Sequence, residues 1–483
     1  MVTATKKHEV TMKLLDQSKV YAKHILAALN ESPSHFHAVN YCKRQLKENG
    51  FTEIRETDQW NLKGGQGYYF TRNGSTICAF LAGTQCGEKP VSSFKIVGCH
   101  TDSPVLKIAP YSKLSAYGYN QLNVMTYGGG LWRTWFDRDL TLAGKVIVKE
   151  PDSDRLSSRY WWAQKPLVKL PNLCIHLQRE EVAINKEIEL KPLLAMSVVE
   201  NLFKGGIESL ADDKFRVEEK HFASLTNMMA KDLNVRREDI VDFELNLCDQ
   251  QPAQLVGMHE EFVSAPRLDN LASSFCALDA IIRHSKLDVK ANRDHAEVEM
   301  IILFDHEEIG SASAQGADSN MANEITTRVS ECLGGKSMQD HYRAIRNSFL
   351  ISADMSHAVH PNYAGKHQPQ HYPHMHDGIV IKINANQRYA TDSVGQSILK
   401  VLADRAEVPI QEFIVRNDSL CGSTIGPIIA AKAGIKTIDV GAPMLAMHSI
   451  RETCGTIDLL YYEKLFAQFF TNYNELTENL LSE

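Results

Sequence analysis

The sequence predicts an α/β architecture with a mostly parallel sheet, interrupted by one inserted region. Three observations predict it. Short apolar runs, Phe94 to Cys99, Val298 to Phe304 and Phe349 to Ile351, are bounded by polar residues, the mark of strands buried on both faces of a parallel sheet. From about residue 264, strand and helix patterns alternate to the end of the chain, as parallel strands with crossover connections require. From about Pro110 to Val263 the texture changes to turns and strands. With 483 residues the chain exceeds one average domain. The expected division is therefore a domain of residues 1–109 and 264–483, and an inserted β-rich domain of residues 110–263.

The elements follow in order. Leu15, Ala22, Ile25, Leu26 and Leu29 recur at helical spacing and stop at Asn30-Glu-Ser-Pro33. Ala38, Val39, Cys42 and Leu46 mark a second helix that stops at Gly50. Tyr68 to Arg72 and Ser75 to Leu81 flank Asn73-Gly74, a strong hairpin signal. The strand ending at Cys99 follows. Within the insertion, Tyr127-Gly-Gly-Gly130, Leu140 to Lys149 and Leu173 to Leu177 suggest turns and strands, and Leu225, Met228, Met229 and Leu233 a short helix. After it come Leu271 to His284, Val298 to Phe304, Phe349 to Ile351, Val394 to Leu402 and Ile435 to Val440.

Bulk properties exclude several functions. Hydrophobic content of 43% supports a full core, and a net charge of -7 leaves no basic excess for nucleic acid or an anionic membrane. Met1 to Val10 lacks an apolar signal core, and no apolar run reaches bilayer length. The 10 cysteines are scattered without a C-x-x-C pair, which argues for reduced thiols and a cytoplasmic location.

Five polar clusters carry the chemistry: His100-Thr-Asp102, Arg267-Leu-Asp269-Asn270, Asp305-His-Glu307-Glu308, Ser352-Ala-Asp354 and Met447-His448-Ser449. Open α/β sheets bind ligands outside the carboxyl ends of their strands. Carboxylates gathered there repel one another unless metal ions lie between them. Zinc takes imidazole nitrogen and carboxylate oxygen, and two-metal hydrolases space their ions by roughly 3.5–4 Å. His100 is a ligand candidate, with Asp102 placed to orient its ring. Asp269 is the candidate bridge. In Glu307-Glu308, adjacent side chains on an irregular segment can point apart, so one binds metal while the other faces the water. Asp354 and His448 each complete one ligand set. Each fragment alone has an ordinary structural reading; their order and strand-end positions set the group apart.

The most specific stretches are Gly98-Cys-His-Thr-Asp-Ser-Pro104, Gly128-Gly-Gly-Leu-Trp-Arg-Thr-Trp-Phe-Asp-Arg-Asp139, Ala265-Pro-Arg-Leu-Asp-Asn270, Phe304-Asp-His-Glu-Glu-Ile-Gly310, Ser352-Ala-Asp-Met-Ser-His357 and Leu445-Ala-Met-His448. Through them the chain resembles the M18 family of metalloaminopeptidases, and within it the aspartyl aminopeptidases, over nearly its full length. The resemblance implies a dinuclear zinc metallopeptidase domain interrupted by a dimerisation domain. It implies two Zn2+ per chain, one held by His448, Glu308 and Asp269, the other by His100, Asp354 and Asp269. Glu307 would be the general base. It further implies release of acidic N-terminal residues from peptides, with Lys382 and Tyr389 beside the first side chain. His176 would reach a neighbouring subunit's substrate in a homo-oligomer, typically a tetrahedral dodecamer built from dimers. Two alternatives stand beside this reading: a neutral-residue aminopeptidase or deacylase on the same fold, and a catalytically silent scaffold or cargo protein. The histidine-rich run His367, His371, His374 and His376 reads as a loop, Gly422-Ser-Thr-Ile-Gly426 lacks a P-loop ending, and Trp132 and Trp135 read as packing.

Overall fold

A computed structural model describes residues 11–477 apart from 152, 181–182, 205, 208, 211–212 and 289–291. Its centre is a nine-stranded mixed sheet. Ser93–His100 lies between Glu297–Phe304 and Phe349–Ala353, and Lys436–Gly441 lies beyond the latter, all parallel. These are the runs whose continuous apolar character predicts two-sided burial, and every residue of Ser93–His100 and Phe349–Ala353 is buried. The flanks are less regular. Thr76–Ala82 and Ile379–Lys382 join the core antiparallel, so the parallel order holds in the middle and gives way toward both edges. Asn73 and Gly74, at φ 56° and 70°, turn the chain between Gly67–Arg72 and Thr76–Ala82 as expected.

Helices cover both faces: Met321–Cys332, Met338–Arg346 and Ile425–Ala433 pack on one, and a larger group packs on the other. Met12–Asn30 starts at Thr11, whose hydroxyl accepts from the Leu14 N–H at 3.2 Å. It packs on Leu268–Ser285 and on Thr456–Thr477, which buries Tyr462, Leu465, Phe466, Phe469, Phe470 and Tyr473 completely. Ser18 and Thr456 hydroxyls meet at 3.0 Å, and the Tyr21 hydroxyl donates to Asp279 at 3.0 Å. Among the described residues, no helix is long and apolar enough to cross a membrane.

A second sheet, of seven antiparallel strands, forms a separate β-rich body from Val105 to Asp249. Ile240–Asp249 pairs with both Val105–Ala116 and Asp139–Lys149, so the sheet closes on itself. Closure pairs the ring strands on both sides, leaving Leu156–Trp162 as an edge strand on Asp139–Lys149, and alternate side chains fill the interior. Leu106, Leu122, Leu142, Val146, Leu245 and Leu247 form that core, with Leu225 and Met229 of helix Ala223–Leu233 packed against it. Leu173 to Leu177 forms no strand: it is an exposed turn without a neighbouring edge to pair with. A third, five-stranded sheet joins Gln254–Val256 and Phe262–Ala265 to Glu452–Gly455, Pro443–Leu445 and Ser356–His357. It brings the two segments that carry Asp269 and His448 side by side.

Candidate metal centre

The site forms where the parallel strands end. His100 closes Ser93–His100 and is 1% exposed. Its Nδ1 donates to the Asp102 carbonyl at 3.0 Å and faces Asp102 Oδ1 at 3.4 Å. That leaves Nε2 facing Asp269 Oδ1 at 3.3 Å, Asp354 Oδ1 at 3.4 Å and Glu307 Oε2 at 3.8 Å. Asp354 follows Phe349–Ala353 directly.

Asp269 stands at the start of helix Leu268–Ser285, where residues 269 and 270 are not yet helical. The turn is held on three sides. Ser103 Oγ donates to the Asp269 carbonyl at 2.6 Å, Asn270 Nδ2 donates to Ala353 O at 2.8 Å, and the Asp269 N–H donates to Glu452 at 3.0 Å. Its second oxygen, Oδ2, lies 3.4 Å from His448 Nε2. His448 Nε2 is also 3.3 Å from Glu308 Oε2, while His448 Nδ1 faces the Gly129 carbonyl at 3.1 Å.

Glu307 and Glu308 lie on a single tight turn, Glu307–Ile309, entered through His306 at φ 66°. Their N–H groups donate to the two oxygens of Asp102 at 3.1 Å each. Tyr127 donates to Asp102 as well, at 2.6 Å. One buried carboxylate thus orients His100 and anchors both glutamates, whose side chains diverge toward different imidazoles.

Two donor sets result, His100–Asp269–Asp354 and Asp269–Glu308–His448, with Asp269 common to both. Glu307 also comes within ligand range of His100 and Glu308. Ligand legs of about 2.0–2.1 Å at tetrahedral angles set donor atoms about 3.3–3.4 Å apart, the separations found within each set. Asp269 Oδ1, Asp354 Oδ1 and Glu308 Oε1 are buried without a hydrogen-bond partner. Imidazole nitrogen and carboxylate oxygen are the donors zinc prefers, so the residues fit a zinc pair.

Electrostatics agree. Burial and the neighbouring Asp354, Asp102 and Asp269 charges push Glu307 up to about 8. Burial and Asp269 push Glu308 well up. Burial alone would depress both imidazoles, yet Glu307 and the bonded carboxylates carry His100 well above its usual value, and Asp269 carries His448 to about 9. Carboxylates so crowded are the environment a divalent cation relieves.

Lys382 is 3% exposed, and its Nζ donates to Asp354 Oδ2 at 3.0 Å. It lies 5.5 Å from the centre of the Tyr389 ring. His176 sits apart, in the exposed turn of the closed-sheet body. Of the set-aside signals, Trp132 and Trp135 are buried in the closed sheet's core, and the His367 to His376 stretch is a loop apart from a short turn at Ala364–Lys366 just before it. Two further residues emerge only from the fold: Tyr127, through Asp102, and Glu452. Glu452 accepts from the His448 N–H at 2.7 Å and the Asp269 N–H at 3.0 Å, and burial with the Asp269 charge pushes it up to about 8. The only sequence signal for it is its position four residues after His448.

Comparison with known proteins identifies the family. The model of the aminopeptidase I zinc metalloproteases (M18) matches residues 28–470. An aspartyl aminopeptidase of Aspergillus oryzae is 43% identical over 499 residues, covering 98% of this chain and 99% of its own. In the cryo-EM structure of an Ape4 and Nbr1 complex, a chain 41% identical superposes with a TM-score of 0.91, covering 99% of this chain and 90% of that one. A chain of the S. cerevisiae mApe1 dodecamer, 26% identical, gives a TM-score of 0.85 over 97% of this chain and 100% of its own. Sequence, fold and donor set meet in one conclusion: this chain belongs to the M18 family of zinc metalloproteases and is an aminopeptidase.

Proposed function

We propose that the chain is a dinuclear zinc aminopeptidase that releases N-terminal aspartate or glutamate from peptides. The observation that carries this reading is Asp269, whose two oxygens face imidazoles from opposite sides at 3.3 and 3.4 Å. His448, Glu308 and Asp269 would hold one ion; His100, Asp354 and Asp269 would hold the other. A bound zinc pair supplies an acidified water and polarises the peptide carbonyl. The protein's own groups do the rest. Asp102 fixes the His100 tautomer and, through its bonds to two N–H groups, the divergence of Glu307 from Glu308. Glu307 takes the proton of the attacking water on a carboxylate oxygen and passes it to the departing amine.

The acidic preference rests on the relative's name and on Lys382, a buried ammonium beside the donor set with Tyr389 next to it. The neutral-residue alternative draws support from one observation, that this ammonium is already bonded to Asp354. Rates on Asp, Glu, Leu and Ala N-terminal substrates separate the two.

The dodecameric relative supports a homo-oligomer, and we favour a tetrahedral dodecamer built from dimers. Leu173, Ile175, Leu177, Ile188, Leu202 and Phe203 are exposed apolar side chains of the closed-sheet body, of the kind subunits cover. His176 lies between Ile175 and Leu177 in the exposed turn and would serve a neighbour's substrate. All ten cysteines are free thiols, which supports a cytoplasmic location.

The deciding experiment is Glu307→Gln. Metal content should stay at two zinc ions per chain while turnover falls by about 100-fold or more. Activity near that of the native enzyme would remove Glu307 from the mechanism, and absence of a metal pair in active protein would remove the reading itself.

A further inference from the structure

A cavity of about 30 Å3 lies where the closed sheet meets the Asp269 turn. At roughly 10–15 Å3 for each water-sized occupant, it has room for about two. Ser103 and Glu452, which grip the Asp269 backbone, form part of its wall. Two N–H groups of its lining residues are buried and without an acceptor: Trp135 Nε1 and Arg267 Nε. Trp135 is 4% exposed and His35 is 5% exposed. His35 Nε2 faces Glu244 at 3.8 Å and Asp305 at 4.0 Å, so His35 is left out of any anion's contacts.

The charges on the wall are unequally matched. Asp249 is spent on Arg138 and Arg451, at 2.6 and 3.0 Å. Glu452 is spent on two backbone N–H groups. Lys107 is paired with Glu244 at 2.7 Å. Arg267 reaches only the Leu29 carbonyl, at 3.4 Å, and among the described residues no carboxylate lies within 4 Å of its guanidinium. A guanidinium without a paired carboxylate, on the same wall as an idle indole N–H, suits negative charge. The one idle acceptor on the wall, Asn246 Oδ1, suits a water.

We propose that this cavity binds a small monovalent anion of the chloride class, held by Arg267 and Trp135, with one water completing the site at Asn246. The anion neutralises Arg267 two residues before Asp269, at the residue whose φ of 61° starts the turn. Chloride therefore stabilises the native protein and stiffens the segment carrying the shared carboxylate. A ligand bound only by the native state raises its melting temperature in a saturable way.

The test uses the zinc-loaded, full-length protein. Melting temperature is measured while sodium chloride replaces sodium gluconate at constant ionic strength, and crystals grown in sodium bromide are measured for anomalous scattering. A saturable rise with chloride and a bromide peak in the cavity are expected. Trp135→Phe keeps the ring and removes one donor to an anion, so chloride affinity should weaken roughly tenfold. Arg267→Gln should abolish the peak; if that variant does not fold, Trp135→Phe decides. A cavity holding only water in bromide, or a chloride response that Trp135→Phe leaves unchanged, overturns the proposal.

Discussion

Glu452 has one oxygen on the His448 N–H and the other on the Asp269 N–H, so a single side chain ties together the turns of two candidate ligands. Groups that orient ligands commonly matter about 10–100-fold in metal affinity. Glu452→Ala should therefore weaken zinc binding by about that factor, measured by chelator competition, while Glu452→Gln, which keeps one acceptor, should lose less. Equal affinity in all three proteins would make Glu452 a bystander. Lys382 calls for a different readout. If its ammonium meets the substrate carboxylate, Lys382→Ala should cut kcat/KM for Asp and Glu substrates by about 100-fold or more, the value of a charge-assisted bond of about 3 kcal/mol. Leu and Ala substrates should lose much less. Parallel losses would assign Lys382 to holding Asp354 alone.

Short elements set the geometry around these residues. Arg267, His306 and His448 adopt φ of 61°, 66° and 67°, each at or within two residues of a member of the donor sets. Left-handed backbone at non-glycine residues is uncommon and gathers at functional sites. Here it lets chains leaving different strands turn their carboxylates and imidazoles inward. The closed sheet carries its own pH sensitivity. His221, 3% exposed and bonded to Ser112 at 2.8 Å, is pushed down to about 4 by burial. Its folded value lies below its unfolded one, so the unfolded chain binds the proton first as pH falls. The stabilisation is complete above about 6.5 and is lost down to about 4, by about 1.4 kcal/mol per pH unit. Denaturant unfolding at pH 7 and pH 5 should show this loss, and His221→Asn should reduce it by His221's share, the rest coming from His37, His284 and His357, which burial also pushes down to about 4. An equal acid response in that variant would place the effect elsewhere.

At the scale of the whole molecule, the exposed position of His176 makes assembly the question. If His176 serves a neighbour, inactive His176→Ala chains mixed equally with inactive Glu307→Gln chains should recover about a quarter of native activity, because about a quarter of the sites then pair an intact Glu307 with a neighbour's intact His176. No recovery in a co-assembled oligomer would confine each site to one chain. The sequence alone determined the buried strands and the chemical types of the donors, because apolar runs and the polar residues that end them are local patterns. His100, Asp269, Glu307, Glu308, Asp354 and His448 were legible as candidates for that reason, and the resemblance to the family divided them into ligand sets. Only the tertiary structure decided that the inserted sheet closes on itself, that the main sheet turns antiparallel toward its edges, and that Glu452, Tyr127 and the Arg267 cavity attend the site. Strand partners, spacings of 3.3–3.4 Å between donors and idle N–H groups are products of distant segments packing together, and no local periodicity records which segments will meet.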